Sequence, residues 1–325
     1  HMSVSPRHRI EYAALLAAAG VFRVLPHEAA LAMAWIGARL AFHVARFRRR
    51  ETLRRIAAVF GEALTPRQRR RAAWLSLRNL AFNLAELMRA GSFTRAWLER
   101  HIDNYAPCME RLRQLVAQHG GLVIALPHLG NWDLAGLAAR QAGLRIFSVA
   151  GVQHNPLVNQ WLNRRRGLGI EIIPRGSSAL RQVVRRLRGG ELFAILPDVR
   201  TRRPDLDIPF LGASTNLGRG MAQFARAARV PVLPVTVRRV GWFRHRFDLL
   251  EPLFPDPAAD ADSDLRRITA CVMTQIEAMI RAEPGQWFWY NRRWVLDRLA
   301  TGECADDPAD AAPDTDPLVA QQETP

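Results

Sequence analysis

The chain of 325 residues is long enough for one large α/β domain or two small ones, and its 49% hydrophobic content can build a sizeable core. Its 46 lysine-plus-arginine residues are all arginine and outnumber 30 acidic residues, for a net charge of +16. The lack of lysine excludes a Schiff-base lysine and a lysine-bearing phosphate loop. Seven acidic residues and no arginine lie beyond residue 302, so the body before them is more basic than the whole and suits phosphate-rich partners. Cys108, Cys271 and Cys304 are far apart and odd in number, which predicts reduced thiols in a cytoplasmic setting rather than a disulfide framework.

Residues 9–90 read as helices. Tyr12, Leu15, Leu16, Ala19 and Phe22 recur at helical spacing until Pro26 breaks the run. A second amphipathic helix is predicted over 28–50, with Leu31, Trp35, Leu40, Phe42 and Val44 on its apolar sides and Arg46, Arg48, Arg49 and Arg50 at its end. Such a helix suits a headgroup layer, and it equally suits packing on a core. Its apolar runs are cut by charge well short of the roughly 20 residues that a membrane span needs. A third helix opens at Thr65-Pro66 and runs to about residue 90.

From residue 120 the pattern alternates. Short β-branched runs at 122–126, 146–152, 170–173, 192–196 and 230–237 read as buried strands, with a further strand at 247–253. Helical patterns at 131–142, 156–167, 177–189 and 218–229 separate them, and a clear helix spans 264–282. The fold class is therefore α/β, a mostly parallel central sheet covered by helices and preceded by an amphipathic helical region. The division expected is residues 3–90 helical and membrane-associating, 91–300 catalytic, and 301–325 a disordered acidic tail.

Gly120-Gly-Leu-Val-Ile-Ala-Leu-Pro-His-Leu-Gly-Asn-Trp-Asp133 carries the most chemical information. A strand ends at Pro127 and His128 begins the turn into a helix, at the strand end where open α/β sheets place their sites. Asp133 falls in the first helical turn, where it can fold back on His128 to fix the imidazole tautomer, or simply cap the helix. A histidine so braced can take the proton of a hydroxyl attacking a thioester carbonyl, with helix-start amides steadying the oxyanion. No His, Cys and Asp cluster has metal-ligand spacing, and Ser177-Ser178 lacks a nucleophile-elbow context.

The His128-Leu-Gly-Asn-Trp-Asp133 segment resembles the His-(four residues)-Asp/Glu motif of the lipid A biosynthesis lauroyl/myristoyl acyltransferase family, and the phosphatidylinositol mannoside acyltransferases related to it. Asn79–Leu87, His154-Asn-Pro-Leu157 with Asn163-Arg-Arg-Arg166, Leu196-Pro-Asp198, Ile208-Pro-Phe-Leu-Gly212 and Gln286–Arg293 resemble further blocks of that family, in its order. The resemblance implies transfer of a fatty acyl chain to a hydroxyl of a lipid acceptor, from an acyl carrier protein or coenzyme A thioester, without metal or redox cofactor. It makes His128 the general base and Asp133 its partner. Asn131, Arg164, Arg165, Arg166, Asp198 and Arg200 become substrate-binding candidates, with one arginine of 164–166 holding phosphate and Asp198 orienting it. It places the protein on the cytoplasmic face of a bacterial inner membrane, against anionic lipid, with the imidazole at an open rim beside a groove for a hydrocarbon tail. Arg200, where a second Asp is common, and Asn291, in place of the usual His, depart from the family pattern. A lysophospholipid or aminolipid acyltransferase of the same superfamily, or a non-catalytic basic lipid- or nucleic-acid-binding protein, is the alternative. No nucleic-acid module is recognisable, so nucleic acid is not expected as a partner.

Overall fold

The computed structural model describes residues 5–149, 155–173, 179–201, 204–291 and 294–296. The acidic tail, Cys304 and His154 lie outside them.

Six helices precede the sheet. Helix α1 (Pro6–Val24) starts where Ser5 and His8 form a capping box around Pro6. Helix α2 (His27–Arg39) continues as a π-helical turn, Leu40–Val44, and ends there. The single helix expected over 28–50 is thus divided: Arg46 and Arg48 take left-handed backbone conformations, and helix α3 (Arg49–Phe60) starts afresh. Helix α4 (Pro66–Arg89) opens with the Thr65–Gln68 capping box, and α5 (Arg95–His101) and α6 (Tyr105–His119) follow.

The α/β part follows the predicted alternation: β1 (Leu122–Ala125), α7 (Trp132–Gln141), β2 (Ile146–Val149), α8 (Pro156–Arg166), β3 (Glu171–Ile173), α9 (Ala179–Arg188) and β4 (Leu192–Ile195). An antiparallel hairpin, β5 (Leu206–Phe210) with β6 (Ala213–Leu217), comes next; the alternation shows as BeBeB burial only along β5, too short to be read as a strand beforehand. Helix α10 (Gly220–Ala228), β7 (Val232–Arg239), β8 (His245–Leu249) and α11 (Ala261–Ala282) complete the order.

The six-stranded sheet runs β3-β2-β4-β1-β7-β8, parallel except for β8. All four residues of β1 are buried, as expected of a strand covered on both faces. Val123 and Ala125 enter one core with Phe193, Phe224 and the α11 face of Leu265, Ile268, Val272 and Ile276. Leu122 and Ile124 enter the other with Leu98, Met109, Leu112, Leu134 and Ala138. The two-residue period of a strand thus assigns alternate side chains to two layers of helices. After β1 the chain moves to the β2 side, and after α10 to the β7 side, so the C-terminal end of β1 is a topological switch point.

No helix of the described residues is long and apolar enough to cross a membrane.

Candidate active site

His128 stands three residues beyond β1, at that switch point. Parallel pairing sets Leu122 against Leu192 and Ala125 against Ile195, a constant offset of 70 residues. Carried three residues further, the same offset brings Asp198 opposite His128. The two meet twice: the His128 amide donates to Asp198 Oδ2 at 2.8 Å, and His128 Nδ1 lies 2.9 Å from Oδ1. A carboxylate only accepts, so Nδ1 carries a proton, and it is Nε2 that bears the lone pair in the neutral ring.

Asp198 is 3% exposed and takes a third hydrogen bond from Trp287 Nε1 at 2.8 Å. Burial pushes its pKa up, but the neighbouring His128 charge and these hydrogen bonds outweigh it and hold the carboxyl below its usual range. The imidazole packs edge-on to Trp132, with ring centroids 5.1 Å apart, and its side chain keeps 19% exposure.

Asp133 was expected against this ring, and the structure corrects that pairing. Its carboxylate Oδ1 accepts from Arg166 Nε at 2.9 Å, at the end of α8. The geometric reason is that Asp133 rides on α7, which leaves the turn toward α8, whereas Asp198 is delivered by the strand hydrogen-bonded to β1. Asp198 correspondingly orients the histidine and not an arginine. Of the three candidate arginines, Arg166 is the one held at Asp133; Arg165 stacks on Trp161 at 5.4 Å, and Arg164 is exposed. Arg200 follows Asp198 by two residues, half-buried, with its backbone bridged to Leu217 of β6.

Asn131, expected to touch substrate, turns inward instead. It is 2% exposed, its Oδ1 caps α7 by accepting from the Leu134 amide at 3.1 Å, and its Nδ2 donates to Glu86 at 2.6 Å. Glu86 on α4 is the hub of a buried network. It pairs with Arg239 at the end of β7, both side chains being 1% exposed, and His245 Nε2 lies 3.6 Å away. Burial alone would raise the Glu86 pKa, but Arg239 and His245 hold it well below the carboxylate range. Asn83 joins both parts, accepting from Arg239 at 3.0 Å and donating to the Gly130 carbonyl at 2.6 Å. Sequence reasoning missed Glu86 and Arg239 as parts of the site. The available signal was polar residues at 79, 83 and 86 on the face of α4 that carries Phe82 and Leu87 into the core.

The turn itself is held by backbone on two sides. Gly130 and Asn131 donate to Gln286 and Val237 carbonyls at 2.9 and 2.8 Å, and Phe288 donates to the His128 carbonyl at 2.9 Å. Gly130 has φ +67°, and a Cβ there would lie 2.0 Å from the Val237 oxygen, so only glycine fits. The segment Gln286–Asn291 crosses over the site and is tied to α4 through Ser76 Oγ donating to the Trp287 carbonyl at 2.6 Å. Beneath it His128, Asp198, Trp287, Phe288, Asn291, Trp294 and Val295 enclose about 10 Å³, the room of roughly one water. The wide groove expected beside the ring is not found among these residues.

A family model described as bacterial lipid A biosynthesis acyltransferase matches residues 2–295. The phosphatidylinositol mannoside acyltransferase of Mycobacterium tuberculosis is 27% identical over 220 residues, 65% of this chain and 66% of that protein. The protein of the same name from Mycolicibacterium smegmatis is 26% identical over 184 residues, 54% of this chain and 58% of that protein. A lipid A biosynthesis acyltransferase of Haemophilus influenzae is 22% identical over 204 residues, 61% and 60% of the two chains. The matched stretch is thus 66% and 58% of the length of the two mycobacterial relatives, less than two thirds of either. With the family model spanning the helical region, the sheet and the site alike, the chain belongs to the bacterial lipid A biosynthesis acyltransferase family.

Proposed function

We propose that this protein transfers a fatty acyl chain from an acyl carrier protein or coenzyme A thioester to a hydroxyl of a lipid acceptor, a glycolipid in the manner its relatives' names indicate. His128 Nε2 removes the proton as the hydroxyl oxygen attacks the thioester carbonyl carbon. The tetrahedral intermediate then collapses, the C–S bond breaks, and the imidazolium returns the proton to the departing thiolate. Asp198 holds the ring tautomer and stabilises the imidazolium, as a buried carboxylate does in hydrolase triads. The observation that carries this reading is the His128–Asp198 pair at the ends of two adjacent parallel strands.

The other parts follow from what is left uncommitted. The amides of His128, Gly130, Asn131 and Leu134 are engaged within the protein. Those of Trp132 and Asp133, in the open first turn of α7, are the donors we assign to the oxyanion. Arg166, steered by Asp133, is the phosphate-binding arginine, and Arg200 is a second contact for an anionic headgroup. A cytoplasmic-leaflet setting fits the thioester donor. Eight of the exposed large hydrophobics, from Ile10 to Phe47, lie in the first fifty residues, which supports seating of this region on a bilayer surface.

Acyl transfer measured with both donor types against a panel of lipid acceptors tests the reading. Turnover with at least one pair, lost in His128→Ala while circular dichroism is unchanged, is the expected result. Turnover that survives His128→Ala would falsify it.

A further inference from the structure

We propose that the concavity between the end of α2 and the start of α3 binds the phosphate of an anionic phospholipid headgroup, at a site separate from His128. Arg46, Arg48, Arg49, Arg50 and Arg54 line it with Glu51 as the one carboxylate, around a space of about 390 Å³. The three families of partner within it are unequal. Glu51 is consumed by Arg48, at 2.6 Å, and by the buried Arg55. Arg49 donates to the Phe42 carbonyl and lies over its ring. Arg46, Arg50 and Arg54 are exposed and have no carboxylate within ion-pair distance among the described residues.

Helix energetics do not explain this placement. Arginines around the start of α3 oppose its dipole, and Arg46 and Arg48 occupy left-handed backbone (φ 52° and 45°), a region that favours glycine. Each costs stability, and each is kept where the π-helical turn redirects the chain. An anion shared among the arginines offsets their mutual repulsion.

The occupant is a bilayer lipid because of what borders the concavity. Ile36, Leu40 and Val44 recur every four residues on one outward face, 54%, 56% and 74% exposed, and Phe47 adds 50%. Their buried counterparts Leu31, Ala34, Ala38 and Phe42 hold the opposite face on the protein. A soluble phosphate donor would need the charge alone. Apolar side chains flanking arginines fit a surface with acyl chains beneath and phosphates at the same level. The inference shares the bilayer setting with the proposed function, but its test reads binding without turnover.

The full chain and its R46Q/R50Q/R54Q variant are sedimented with phosphatidylcholine vesicles, with and without phosphatidylglycerol. All three side chains are exposed, and circular dichroism confirms folding. The variant should bind phosphatidylglycerol vesicles about 100-fold more weakly, with binding to pure phosphatidylcholine unchanged. A control, R111Q/R181Q/R185Q, loses the same charge from other exposed positions and should change by less than about threefold. Equal losses in both variants mean diffuse charge rather than a site and overturn the proposal. So does unaltered vesicle binding, with or without loss of coenzyme A binding in the R46Q/R50Q/R54Q variant.

Discussion

Replacing one oxygen of Asp198 by an amide nitrogen changes which ring nitrogen of His128 bears the proton. In Asp198→Asn the amide can donate to Nδ1, the proton moves to Nε2, and the lone pair that would accept the hydroxyl proton is gone. We expect kcat to fall by about 10⁴-fold with KM near that of the parent. Asp133→Asn should behave differently, because its partner is the guanidinium of Arg166 and Asn131 already caps the helix. There we expect KM to rise by about tenfold, the size of one weakened charge-assisted hydrogen bond, with kcat within a fewfold. Steady-state kinetics of the two variants side by side decides which carboxylate braces the ring; a kcat loss in Asp133→Asn matching that of Asp198→Asn would assign it to Asp133. At this scale the place of the proposed base was readable, since a histidine directly after a strand-ending proline announces its position. Its partner was not, because the sequence offers a near carboxylate at 133 and a far one at 198, and only pairing of β1 with β4 ranks them.

The turn between β1 and α7 is an element whose shape depends on three others: α4, β7 and the Gln286–Asn291 segment. Gly130→Ala should be the most damaging small change in it. The added methyl meets the Val237 carbonyl in a left-handed backbone, so the Asn131–Val237 hydrogen bond and the placement of His128 are disturbed together. We expect a loss of about 3 kcal/mol or more in denaturant unfolding, along with activity. Glu86→Gln attacks the same turn from below. It leaves Arg239 charged and buried, at a cost of about 3–5 kcal/mol. The double variant Glu86→Met with Arg239→Met should recover much of that stability while turnover stays low, since Asn131 has lost its acceptor. Recovery of turnover along with stability would show that the network only supports folding. Elements with long periodic patterns, such as α4 and α11, were legible in the sequence together with their starts, because capping residues and an apolar face are local properties. The β5–β6 hairpin and the break at 45–48 were not: five-residue strands carry little periodicity, and a left-handed arginine has no sequence signature.

Across the whole molecule, acid should act in two stages with one sign. His27 is packed among Phe93, Trp97 and Phe243, and burial lowers its pKa from the ordinary 6.5 to about 4; burial lowers that of His245 as well. In that interval the unfolded chain takes up protons that the folded one refuses, so stability falls as pH drops from 6.5 toward about 4. His27 contributes up to about 3 kcal/mol of this. Asp198 and Glu86, whose carboxyls are held low, favour the folded state above the ordinary carboxylate range and withdraw that stability at more acidic pH. Denaturant midpoints between pH 7 and 4 should show the first stage flattened in His27→Phe, and an unchanged slope would remove His27 from the account. What the sequence by itself determined was composition, the alternation of strands and helices, and the chemistry available at His128, all set by side-chain type and local spacing. What only the tertiary structure decided was who stands beside whom: Asp198 at the imidazole, Arg166 at Asp133, and Glu86 with Arg239 under the turn. Those contacts join residues 33 to 153 positions apart, and they exist because strand order and register, which the cooperative packing of two cores selects, bring them within bonding distance.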